Sequence, residues 1–159
     1  MIAKPEACRG CPLYGDGQGF VADEILPSAP VFILGQNPRQ AEEREGRPFV
    51  GTTGDTMLRV YFPLADLHRG ENVHIGNTLR CRLSGHCTQR GQPMKCNHMP
   101  TGKVLAAAVT HCTTQHLHIP DDVRLVIAQG AHAWRLLSPR SGSITDWRGF
   151  LAVDRERSA

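Results

Sequence analysis

The chain has 159 residues, 40% of them apolar and 21% charged, with a formal net charge of +3. That composition supports one substantial core and one domain, 1–159, with no independent second unit. The longest apolar runs, such as 123–128, fall far short of the ~20 residues that cross a bilayer, and the N-terminus carries no signal-peptide apolar segment, so the expectation is a soluble, monomeric, cytoplasmic protein with no membrane partner.

In chain order, Cys8 and Cys11 flank Arg9-Gly10, and a Gly-rich stretch follows at 15–19. The apolar run 31–34, bracketed by Pro30 and Gly35, predicts a short strand buried on both faces of a parallel sheet. It ends on the polar pair Gln36-Asn37. A charged stretch, 42–47, includes Glu42 and Glu43, expected as solvated surface acids. Residues 55–67 carry Met57, Leu58, Tyr61, Phe62 and Leu64 and predict a helix disturbed late by Pro63. A second strand is expected over 73–76, ending at Asn77. The polar stretch 83–101 has no apolar period and reads as a loop insertion.

Further on, 103–117 places Val104, Leu105, Ala108, Val109 and Cys112 on one helical face, 123–128 reads as a third strand closed by Gly130, 131–137 as a short helix and 147–153 as a last strand. Strands alternating with helices predict a three-layer α/β/α fold around a parallel sheet of roughly four strands, with reactive loops at the strands' carboxyl ends. Arg80, Arg82, Arg90, Lys95 and Lys103 crowd one region, a local basic surface that either contacts nucleic acid or is merely solvated. Cysteines stand at 8, 11, 81, 87, 96 and 112, and without a sign of export metal binding ranks above disulfides.

Cys8-Arg9-Gly10-Cys11-Pro12-Leu13, Gly35-Gln36-Asn37-Pro38, Glu45-Gly46-Arg47-Pro48-Phe49-Val50-Gly51 and Asn77-Thr78-Leu79-Arg80-Cys81-Arg82, in this order, resemble the uracil-DNA glycosylase superfamily, most closely its iron–sulfur branch, family 4. The resemblance runs over roughly 8–150. It implies a DNA repair glycosylase that flips uracil, or a related deaminated base, out of single- or double-stranded DNA and hydrolyses its N-glycosidic bond.

Four soft thiolates suit an iron–sulfur cluster or zinc on chemical grounds alone. The resemblance implies a 4Fe-4S cluster on Cys8, Cys11, a third cysteine and Cys112. Two criteria conflict for the third: Cys81 lies just after Asn77, as in the family, whereas Cys96 has the family-like interval before Cys112. Cys81 is preferred because a strand end fixes it, while a surface loop absorbs an insertion at small entropic cost. His86-Cys87 and Cys96-Asn97-His98 offer a second, weaker zinc set. The cluster's expected role is structural, tying the N-terminus to the core.

By the same resemblance Phe49 stacks on the base and Asn77 reads its edge; the bland alternatives are a core Phe and a strand-end turn residue. Gln36 and Asn37, beside Gly35, stand at the catalytic loop. The iron–sulfur branch generally has Glu where this chain has Gln36, and Asn37 resembles the mismatch-specific branches and stands where the principal uracil branch uses Asp. An Asn cannot act as a base, but its carbonyl can position water. Glu42 and Glu43 are nearby carboxylates that can substitute as base. Gly51, Thr52 and Thr53 open a helix and either hold a DNA phosphate or cap it.

The family's late His-Pro segment and DNA-inserting helix have no counterpart among these residues. The expectation is either a fragment or a diverged domain that binds without efficient turnover. Three readings follow: a glycosylase, a catalytically weak DNA-binding module of the same fold, and a zinc-stabilised nucleotide-binding domain unrelated to repair.

Overall fold

The computed structural model describes residues 2–15, 17–83, 85–89, 92–96, 102–138 and 146, with backbone alone for 85–89 and 92–96. A 3-10 turn, Glu6–Gly10, precedes β1 (Gly17–Gln18), β2 (Val31–Gly35), α1 (Gln40–Glu45), α2 (Thr52–Thr56), a π segment (Met57–Tyr61) and α3 (Phe62–Leu64). Then come β3 (Val73–Asn77), β4 (Arg82–Leu83), β5 (Gly85–Gln89), β6 (Gln92–Cys96), α4 (Gly102–His116), β7 (Leu125–Ala128) and α5 (Ala131–Leu137).

The central sheet is parallel, in the order β3-β2-β7, with Val31 opposite both Val73 and Leu125. Side-chain alternation along β2 divides the core. Ile33 packs with Phe49, Met57, Phe62, Val73 and Ile75 on one face, while Phe32 and Leu34 pack with Ala133 on the other. Each such fully buried side chain contributes about 1.5–3 kcal/mol. This is the three-layer α/β/α arrangement expected from the alternating pattern. A third cluster, Leu13, Leu79, Leu83, Leu105, Ala108 and Cys112, joins the N-terminal segment to α4.

β2 is central: the chain passes from it to β3 on one side and later crosses over to β7 on the other. Such a reversal opens a crevice beyond the strands' carboxyl ends. Gln36 and Asn37 follow β2 there, Asn77 ends β3, and Gln129 and Gly130 follow β7.

The described sheet has three strands rather than four, and the strand expected over 147–153 lies outside the described residues. The stretch 83–101, read as a loop, begins on the last residue of β4 and holds a β5–β6 pair running from Gly85 opposite Cys96 to Gln89 opposite Gln92. Its ladder is made by backbone hydrogen bonds, and a sequence without apolar alternation gives no strand signal. Val104 is exposed, not part of the buried face of α4, whose core side chains are Leu105, Ala108 and Cys112. The helix around Pro63 keeps its course by widening: the Phe62 N–H reaches back to the Met57 carbonyl, accommodating a proline that has no N–H to donate.

Candidate active site and cysteine pocket

A cleft of about 870 Å³ opens at the switch point, walled by Gly35, Gln36, Asn37, Phe49 and Asn77, with Gly51, Thr52 and Thr53 on its rim. Every residue singled out from the catalytic, stacking, base-reading and phosphate motifs lines this one cavity. Asn37, Phe49 and Asn77 are buried, and a Cβ on Gly35 would overlap Asn77 Oδ1 and stand 2.8 Å from Phe49 Cζ. The base-edge amide and the aromatic ring therefore close over the same bare Cα.

Phe49 has φ +53°, the left-handed region that bulky side chains avoid. That conformation costs on the order of 1–3 kcal/mol and persists where neighbours over-determine it. Here the Phe49 N–H donates to Glu42 Oε1 at 2.7 Å, and Arg69 Nη1 donates to the Phe49 carbonyl at 3.2 Å.

Glu42 and Glu43 are both buried, contrary to the solvated acids expected. Glu42 Oε2 accepts the Arg39 N–H at 2.8 Å, capping α1, and Oε1 accepts Asn77 Nδ2 at 3.3 Å. Glu43 accepts from Arg82 Nε, and Arg82 Nη2 donates to Gln18 Oε1 at 2.9 Å. Buried charges persist when paired and hydrogen-bonded, and each glutamate has a partner on a sequence-distant strand, Asn77 for Glu42 and Arg82 for Glu43. The same pairing revises the basic surface. Arg80 is 2% exposed and bonded to Asp23, and Arg82 is 20% exposed and bonded to Glu43, so neither is a free cation. The side chains of Arg90 and Lys95 lie outside the described residues.

Asn37 Nδ2 donates to the Pro38 carbonyl at 3.1 Å. At the rim, Gly51 is the N-cap of α2 at φ +88° and makes no side-chain cap. Thr52 and Thr53 stay exposed beside the cleft rather than serving as caps. Arg39, Glu42, Arg82, Gln129 and Gly130 also line the cleft. Of these, Gln129-Gly130 was signalled only as a strand end, and the others carry charge patterns that read as surface.

In a second pocket, Cys8, Cys11, Cys81 and Cys112 stand with Lys4, Arg80, His111 and His116. The Cys11 N–H donates to the Cys8 carbonyl at 2.9 Å, the turn that brings the first two sulfurs round to one side. His111 Nε2 lies 2.9 Å from the Ala7 carbonyl and His116 Nε2 3.2 Å from Cys8 Sγ, fastening that turn to α4. Burial pushes Cys81 up to about 12 and Cys112 up to about 11. Among the described residues no three His, Cys, Asp or Glu side chains stand close enough to hold one ion. The pocket is thus four thiols around a common space; Cys87 and Cys96 have side chains outside the described residues.

Residues 22–155 match the family described as the Uracil DNA glycosylase superfamily. The Type-4 uracil-DNA glycosylase of Thermotoga maritima is 30% identical over 143 residues, 89% of this chain and 67% of that protein. Those of Sulfurisphaera tokodaii and Saccharolobus solfataricus are each 33% identical, over 76 and 75 residues. These two matches cover 48% and 47% of this chain and 34% of each relative, so the chain aligns with about a third to two thirds of the curated relatives' length.

Proposed function

The chain belongs to the uracil-DNA glycosylase superfamily, and from that premise we propose that it removes uracil from DNA by hydrolysing the N-glycosidic bond. The observation that carries this reading is the convergence of Gln36, Asn37, Phe49 and Asn77 on one cleft at the switch point. A base inside a duplex is out of reach, so the nucleotide swings out and the base enters the cleft. Phe49 packs on its face. Asn77 accepts from the ring N3–H with Oδ1 and donates to O4 with the Nδ2 hydrogen that Glu42 does not use. Cytosine presents donor and acceptor in reverse, leaving both groups mispaired at a cost of about 1–3 kcal/mol each.

Gln36 and Asn37 hold a water beside the sugar. Its oxygen bonds to C1′ as the C1′–N1 bond breaks, the electron pair leaves with uracil, and the water's proton passes to solvent. Asn37 orients that water through its amide oxygen but cannot take the proton, and Glu42 is committed to its three donors. A modest rate follows. Gly51, Thr52 and Thr53 hold a flanking phosphate at the rim.

Cys8, Cys11, Cys81 and Cys112 would hold a 4Fe-4S cluster, which would supply a structural tie between the N-terminal turn, the segment between β3 and β4, and α4. A single zinc at ~2.3 Å from each sulfur would draw the four within ~4 Å of one another. The four thiols that line one pocket suit either group by their chemistry, and the resemblance to the iron–sulfur branch favours the cluster.

The test is abasic-site formation on a single-uracil oligonucleotide, compared with Asn37→Ala. Turnover no higher than that variant's would end the catalytic reading. The engagement of Glu42 favours a second reading, a weakly catalytic DNA-binding module of the same fold. That module would bind DNA with steep salt dependence and release no uracil. Membership in the superfamily weighs against the third reading, a zinc-stabilised nucleotide-binding domain unrelated to repair.

A further inference from the structure

Arg69 lies outside every motif in the sequence, yet its guanidinium meets the backbone on which the aromatic wall of the cleft is built. Nη1 donates to the Phe49 carbonyl at 3.2 Å and Nη2 to the Pro48 carbonyl at 2.6 Å. Glu24 grips the same group at two points, accepting Nε on Oε2 at 2.8 Å and Nη2 on Oε1 at 2.6 Å. Such a fork fixes the plane of the guanidinium as well as its position. Arg47 approaches Glu24 from the outer side, its Nε donating to Oε1 at 2.8 Å. The Arg69 side chain is 13% exposed, so these bonds are largely shielded from water.

What is held there is a strained residue. Phe49 sits at φ +53°, and the contacts around it come from three separate elements. Glu42 on α1 accepts its N–H, Arg69 just before β3 donates to its carbonyl, and Gly54 on α2 leaves the room that a Cβ would take by overlapping that carbonyl oxygen. Glu42 and Arg69 thus seize opposite ends of one residue. Releasing the carbonyl end lets Phe49 return to negative φ, and the ring turns away from Gly35.

We propose that Arg69, locked by Glu24, is a positioning residue that holds Phe49 in the left-handed conformation presenting its ring to an extruded base. The proposal rests on the cleft reading above, and it concerns the conformation of the wall, which is measurable without turnover.

The test uses the full chain with a fluorine on the Phe49 ring, read by fluorine NMR, together with steady-state uracil excision. The wild type is expected to give one narrow resonance. Arg69→Met and Glu24→Gln are expected to broaden or split it and to lower kcat by roughly tenfold or more, as a displaced contact group does, with KM for the oligonucleotide little changed. Arg69→Lys keeps the charge but cannot span both carbonyls and the carboxylate, so it is expected to lose as much as Arg69→Met. If Arg69→Met does not fold, the folded Arg69→Lys variant decides. A narrow, wild-type resonance in Arg69→Lys overturns the proposal, and so does wild-type kcat alongside a broadened one. A wild type that releases no uracil overturns the catalytic reading instead, and the fluorine spectra still decide the positioning.

Discussion

Glu42 Oε1 accepts the side-chain amide of Asn77 at 3.3 Å across 35 residues of chain, and the same oxygen accepts the Phe49 N–H at 2.7 Å. A carboxylate can only accept, so the Asn77 nitrogen faces it and the oxygen is left over Gly35. One buried group thereby sets the hand of the amide proposed to read the base and the height of the ring proposed to stack on it.

Removing that carboxylate has two separable effects. Glu42→Ala leaves the Arg39 and Phe49 N–H groups and the Asn77 amide without their acceptor. The expected loss is about 2–4 kcal/mol, read as a lower urea midpoint at unchanged slope. Glu42→Gln keeps the volume but offers one accepting oxygen and lets the Asn77 amide turn over. It should fold, with uracil-over-cytosine preference down roughly tenfold or more in competition excision assays.

The parts legible in the sequence were those written in local pattern. Residues 31–34 form an unbroken apolar run between Pro30 and Gly35, and they become the central strand, with polar Gln36 and Asn37 delivered to the crevice beyond it. Glu42 and Glu43 were not legible, because nothing in a charged helical stretch says that Asn77 and Arg82 will arrive on distant strands to receive it. Arg80 misled for the same reason, its partner Asp23 lying 57 residues away. Arg69 carries no motif, and its bonds to Glu24, Pro48 and Phe49 exist only in three dimensions.

Gly35 tolerates no side chain. Gly35→Ala would drive a methyl into Asn77 Oδ1 and the Phe49 ring edge, both on buried residues. Overpacking of this kind costs about 1–3 kcal/mol, but the larger consequence is local, since the two groups that would hold the base must part. Excision should fall below detection while far-ultraviolet circular dichroism keeps the wild-type spectrum.

In the proposed reaction Asn37 limits the rate by what it cannot do. Asn37→Asp supplies a carboxylate where the water is proposed to sit, and general-base assistance contributes about 10²–10⁴-fold when geometry allows. Single-turnover excision should quicken relative to wild type and rise with pH through the carboxylate range, whereas the wild type should lack that rise. An equal or slower rate in the aspartate variant, with the same pH profile, would remove Asn37 from the water-holding role.

Acid should loosen the wall around Phe49 through Glu24. Burial alone would raise this carboxyl, but hydrogen bonds and charge from Arg69 and Arg47 outweigh it and hold it below its ordinary 4.5. A carboxyl lower in the folded than the unfolded state contributes its full stability above the unfolded value, and that contribution disappears as pH falls through the lower, folded one. Melting temperature should therefore drop more steeply below pH 4.5 in the wild type than in Glu24→Gln, with the two curves converging at low pH. Calorimetry at a series of pH values checks it, and parallel curves would mean that the ion pair contributes nothing.

Cys81 and Cys96 are the two candidates for the third ligand of the cysteine pocket, and of these we propose Cys81. Cys81 lines the pocket with Cys8, Cys11 and Cys112, on the segment that leaves β3. Cys96 ends β6, on a hairpin paired within itself. Cys81→Ser and Cys112→Ser should therefore give protein with background iron and inorganic sulfide and no visible absorption after anaerobic purification, whereas Cys96→Ser should stay brown with wild-type iron. Because ligand binding to the folded state adds directly to stability, the loaded wild type should also melt well above the serine variants. Stoichiometric zinc in a colourless wild type would replace the cluster with a single ion, and brown Cys81→Ser beside colourless Cys96→Ser would move the third ligand to the hairpin.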